Sequence, residues 1–288
     1  MSGTSFPATG HRSVPRRWMP PSGCCCAPWA RRPKTARRHD AAPRDGVPAP
    51  MITFKPRPEL PVDYKVSLRN VLGITFLTVM VALLLGVIVV QLDLTIGSAE
   101  GDPIKKVLWL FLILLTGVLT ATGYVLAWRT PVRWGIVGLT RPEPRWVLIS
   151  VAVGAVLFFL GERADHVLRL GIVENFRAQF GVGLKSQVGL LSMLAVFGLL
   201  RPIALEIYFR GVLLNYFVNR IGAETGLFVT SLLFAGLYFQ PDLPANMAYG
   251  FVYALAFGLL FLRSGSLWNA VVAHATVGVL FVAKVAWA

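Results

Sequence analysis

Long apolar runs constrain this chain more than any other feature. They lie at roughly 71–92, 107–128, 146–160, 187–200, 202–219, 226–240, 245–262 and 267–287. A helix needs about 20 predominantly apolar residues to cross the hydrocarbon core. The two runs between 187 and 219 are together too long for one straight crossing. Pro202 lies between them, and proline breaks or kinks a helix. The reading is seven spans, or eight if that segment is two helices. The expected fold is therefore an all-α polytopic transmembrane bundle of about 7–8 spans.

Composition agrees. Of 288 residues, 55% are hydrophobic and 15% charged, with a mean hydropathy of +0.63. Soluble domains carry about 25% charged residues, and a chain this apolar must face lipid. The formal net charge of +14 does not call for nucleic acid. Residues 1–50 hold nine Lys and Arg against Asp40 and Asp45, and the remaining excess borders the apolar runs. Basic residues at membrane borders set topology. Lys55, Arg57, Lys65 and Arg69, then Arg129, Arg133, Arg141 and Arg145, then Arg220, then Arg263 fall on one side if the N-terminus is cytoplasmic. The expected partner is the lipid bilayer. The expected location is a bacterial inner membrane, since the Ala, Arg, Gly and Pro usage suggests a high-GC bacterium.

Three stretches are expected. Residues 1–50 read as a disordered basic tail without periodicity. Met51-Ile-Thr-Phe-Lys has the look of a membrane-protein N-terminus, so a start at Met51 is expected. Residues 51–185 hold the first spans and an outer loop, and residues 186–288 form the core. The cysteines, Cys24, Cys25 and Cys26, are adjacent and in the tail, which gives neither a disulfide framework nor a spaced metal motif. In the loop Gly161–Lys185, the pattern Val167-Leu168-x-x-x-Ile172 predicts an amphipathic helix on the membrane surface.

Ionisable groups at membrane depth are expensive, which makes them functional candidates. Here they are Glu206, Arg210 and His274, with Tyr238 at the end of its span. Counted from the inner-border residues Arg220, Glu224 and Arg263, Glu206, Tyr238 and His274 lie roughly 21, 21 and 16 Å deep at about 1.5 Å per residue. Three polar side chains on three helices thus share one level. Each alone has a plain structural reading: an i, i+4 ion pair for Glu206 and Arg210, an interhelical hydrogen bond for His274, an interfacial anchor for Tyr238.

The segment Arg201-Pro-Ile-Ala-Leu-Glu-Ile-Tyr-Phe-Arg-Gly resembles the Glu-Glu-x-x-x-Arg signature of the CAAX protease and bacteriocin-processing (CPBP, or Abi) family of intramembrane proteases. Phe234-Ala-Gly-Leu-Tyr238 is similar to that family's Phe-x-x-x-His motif. Ser266-Leu-Trp, leading to His274, is similar to its third motif, which ends His-x-x-x-Asn or His-x-x-x-Asp. The resemblance covers about residues 190–285 and implies peptide-bond hydrolysis of membrane or lipidated proteins, with a site among Glu206, Arg210, Tyr238 and His274. The chain departs from the pattern at Leu205, where the family has its first Glu, the general base; at Tyr238, where it has His; and at Gly278, where it has Asn or Asp. Glu206 does not replace the missing Glu, because one residue along a helix turns the side chain by about 100°. A catalytic metal needs about three protein ligands, and Glu206 with His274 supplies two, so no cofactor is assigned. Asp242, Gln240 or a folded-back His166 are candidates for a rewired site. The alternative is a pseudoprotease, a non-catalytic partner or regulator that binds membrane peptides. A transporter is the third reading, and no inverted repeat supports it.

Overall fold

The computed structural model describes residues 66–96, 103–127, 134–239 and 245–287. The basic tail with its three cysteines, the expected start at Met51, and Gln240 and Asp242 lie outside them. Within the described residues all regular structure is helical. We number eight helices: α1 Leu68–Ile96, α2 Pro103–Ala127, α3 Pro144–Leu168, α4 Ile172–Leu184, α5 Gln187–Ile221, α6 Ala223–Tyr238, α7 Ala245–Ser264 and α8 Leu267–Trp287. Six of them, α1, α2, α3, α5, α7 and α8, are long and apolar enough to cross a membrane. The run expected at 226–240 forms α6, which is shorter than those six. The protein is an all-α polytopic bundle and an integral membrane protein.

Pro202 does not divide the segment from 187 to 221. Proline has no N–H for the carbonyl four residues back. The turn before it, Val196–Leu200, is wound as π-helix, and the Arg201 N–H reaches the carbonyl of Val196. One wide turn absorbs the missing donor and the helix continues, so α5 is a single element of 35 residues. A second π segment, Ile207–Leu214, follows and carries Arg210.

The loop Gly161–Lys185 is also helical. Val167 and Leu168 close α3 as exposed residues, and a tight turn through Arg169 (φ 53°) and Gly171 (φ 67°) separates them from Ile172. The expected pattern therefore does not form one amphipathic helix. Asp165 caps α4 instead, accepting from the backbone N–H groups of Ile172 (3.1 Å) and Val173 (3.4 Å). α4 packs Val173, Phe176 and Phe180 against a buried cluster of Leu184, Met193, Val282 and Val285.

The inner helices are α5, α7 and α8. α8 packs against α3, α7 and the first π-turn of α5, while α1 and α2 pair with each other. Side chains of α1 and α2 face outward as apolar surface, including Leu72, Phe76, Leu83 and Leu84, as lipid contact requires. Small residues permit the close crossings. A Cβ at Gly154 of α3 would meet the Ala273 carbonyl oxygen at 2.5 Å and the Thr276 Cβ at 2.8 Å. This is backbone against backbone, the close approach typical of membrane helix pairs. Gly154→Leu is expected to lose about 1–3 kcal/mol by overpacking α3 against α8. A thermal-unfolding series in detergent checks this, with Gly86→Leu as the control, where nothing stands within 4 Å.

Candidate active site

The site is built on one carboxylate. Glu206 ends the short α-helical stretch Arg201–Glu206 between the two π segments of α5 and is fully buried. Its Oε1 accepts from Arg210 Nη1 at 3.1 Å and lies 2.8 Å from His274 Nδ1 of α8. The arginine is one turn further along the same helix, so the i, i+4 pair is local. The histidine reaches it across the bundle. Oε2 is buried and makes no hydrogen bond among the described residues. When Glu206 is ionised it can only accept, and Nδ1 of His274 then carries the proton and leaves Nε2 as the basic nitrogen.

Aromatic rings enclose the group. The Arg210 guanidinium lies 4.4 Å from the centroid of Phe234 (α6) and 5.6 Å from that of Phe257 (α7). Its second nitrogen donates to the Ala254 carbonyl at 3.1 Å. His274 stacks on Phe257 at 5.0 Å and 18°, and meets Phe234 edge-on at 6.1 Å. Cation–π contact and ring stacking thus fix both partners of Glu206.

Tyr238 lies beside this triad rather than in it. Its hydroxyl accepts from Arg201 Nη2 at 2.6 Å, and its ring sits 5.7 Å from Phe234 and against Gly250, where no side chain intervenes. A cavity of about 320 Å³ opens here. Its wall includes His274, Tyr238 and Arg201, and at its rim Glu162 pairs with Lys284 at 2.6 Å.

Of the four sequence-predicted residues, Glu206, Arg210 and His274 are in direct contact, and Tyr238 joins His274 on the cavity wall. His166 is exposed near the end of α3; that helix brings Glu162 and Asp165 to the cavity instead. The sequence analysis missed Arg201 and Phe257 as parts of the site. Arg201 stands inside the first quoted motif and, as a cation within an apolar run, carried the same signal that selected Glu206, whereas Phe257 lies in the apolar run 245–262 with no polar signal to mark it.

The positions that depart from the family pattern are structurally settled. Leu205 is buried in an apolar cluster with Val71, Ile74, Phe209, Val212 and Ala254. Gly278 is pressed against the Phe197 backbone, and a Cβ there would collide with the Phe197 carbonyl oxygen. No group of three or more His, Cys, Asp or Glu side chains gathers among the described residues.

Residues 187–280 match the family model described as type II CAAX prenyl endopeptidase Rce1-like. The match supports membership of the CPBP family. The matched stretch runs from the start of α5 into α8 and includes Glu206, Arg210, Phe234, Tyr238 and His274. No curated protein and no solved structure matches the chain. The family match supports reading the chain as a CAAX protease-like intramembrane protease homologue.

Two outcomes follow from this geometry. Arg210→Met is expected to cost about 3–5 kcal/mol, because it leaves a buried carboxylate without its strongest partner. The double variant Glu206→Gln/Arg210→Met regains much of that loss in a thermal-unfolding double-mutant cycle. Gly278→Asn, which supplies the family's residue, is expected to lower the melting temperature, since the side chain has only the Phe197 backbone to displace.

Proposed function

We propose that this chain hydrolyses peptide bonds in membrane-anchored or lipidated proteins, using a base that differs from the family's glutamate. The observation that carries this reading is the 2.8 Å contact between Glu206 and His274. A buried carboxylate that holds Nδ1–H of a histidine fixes its tautomer and stabilises the imidazolium formed when Nε2 takes a proton. Arg210 positions Glu206, and His274 is the base at the cavity wall. Water gives a proton to His274 and adds as hydroxide to the peptide carbonyl carbon. The Tyr238 hydroxyl, which accepts from Arg201 and so keeps its own O–H free, donates to the oxyanion. The C–N bond then breaks as His274 returns the proton to the leaving amine. Glu206, Arg210, His274 and Tyr238 are the site residues of this proposal.

The basic loops support a cytoplasmic N-terminus in a bacterial inner membrane. In that orientation the Glu162–Lys284 rim lies on the outer side, where water enters.

A second reading, a pseudoprotease that binds membrane peptides or regulates an active partner, draws on Leu205 and Gly278. The family's base position is apolar core and its last polar position has no room for a side chain.

Comparing protein N-termini across the proteome separates the two. In cells carrying His274→Ala or Glu206→Gln, cleaved termini present with wild type are expected to vanish while protein abundance stays equal. Tyr238→Phe is expected to slow cleavage of the same substrate by about 10²–10³. An identical set of termini in wild type and both variants excludes hydrolysis and leaves the binding reading.

A further inference from the structure

Arg201 is a cation with no counter-ion among the described residues. Counted from the inner-border residue Arg220 at about 1.5 Å per residue, it lies roughly 28 Å from that border, near the outer end of the hydrocarbon core. Its side chain is flanked by the rings of Phe197 (5.3 Å) and Tyr238 (5.4 Å), and it donates to one neutral oxygen, the Tyr238 hydroxyl. No carboxylate among the described residues pairs with it. The two acids on the same cavity wall are both committed: Glu162 to Lys284 at 2.6 Å, and Asp165 to the first N–H groups of α4. A half-buried guanidinium that faces a cavity is stabilised by an anion bound there. It has five N–H donors, suited to a planar two-oxygen anion. Most of the remaining wall is hydrocarbon and aromatic, including Phe158, Phe176, Phe197 and Phe281, with Asn246, His274, Tyr249 and Tyr253 as its other polar members.

We infer that the cavity binds an amphipathic carboxylate of the fatty-acid type, its headgroup held by Arg201 and the Tyr238 hydroxyl and its acyl chain lying along the phenylalanines. Charge complementarity sets the head and the apolar wall sets the tail. Binding needs no turnover, so this inference stands or falls apart from hydrolysis.

The test uses the full chain in nanodiscs of zwitterionic lipid, with equilibrium binding of radiolabelled oleate and competition by methyl oleate, which has the same chain and no charge. Wild type is expected to bind the acid at least about tenfold more tightly than the ester. Arg201→Gln is expected to abolish that preference, Arg201→Lys to keep part of it, and Tyr238→Phe to reduce it severalfold. Equal binding of acid and ester by wild type overturns the inference, and this comparison requires no variant to fold. A preference unchanged in a folded Arg201→Gln protein also overturns it. An oleoyl lysophosphatidate that competes more strongly than oleate overturns the carboxylate assignment in favour of a phosphate lipid.

Discussion

The buried carboxylate of Glu206 is the interaction on which the central bundle depends. A charge at membrane depth is stable only if protein replaces the water it has lost. Glu206 meets that demand through one oxygen, which holds Arg210 of its own helix and His274 of α8. The need extends outward. Arg210 in turn requires the Ala254 carbonyl and the faces of Phe234 and Phe257. Four helices, α5, α6, α7 and α8, are therefore joined at one level by a chain of directional contacts.

Helix winding serves the same end. The π-turn ahead of Pro202 and the π segment through Arg210 bracket the six residues that end in Glu206. Such irregular turns redirect side chains without breaking the backbone hydrogen-bond ladder, which lipid would penalise. The first π-turn also lets α8 come close: Gly198 and Gly278 lie at the crossing, and Phe197 fills the space where a longer side chain at 278 would stand. The departure from the family at Gly278 is thus part of the packing of α8 on α5.

The polar wall of the cavity differs in kind from the triad. Arg210 and His274 both reach Glu206 Oε1. Arg201 and Tyr238 do not complete their own electrostatics, and the carboxylates nearby serve an ion pair and a helix cap. A pre-organised, under-compensated group beside a cavity is an arrangement that favours a ligand over further protein contact.

Much was legible in the sequence. The apolar runs determined the all-helical membrane fold, because crossing lipid demands about 20 apolar residues in a hydrogen-bonded helix whatever the tertiary context. The counting of depth predicted Glu206, Tyr238 and His274 at one level, and Glu206 and His274 do meet, at 2.8 Å. Only the tertiary structure decided which of these touch. Tyr238 shares that level yet turns to Arg201, because rotation about a helix axis and the crossing of α6 over α7 at Gly250 are set by packing that no single run encodes. The same holds for Pro202. Its missing donor is visible in the sequence, but whether the helix breaks or absorbs it as a π-turn depends on α8 lying against that turn. The Leu205 position shows the reason most directly. A leucine beside a glutamate is two letters in a row, and the 100° between them sends one into an apolar cluster and the other to a histidine 68 residues away.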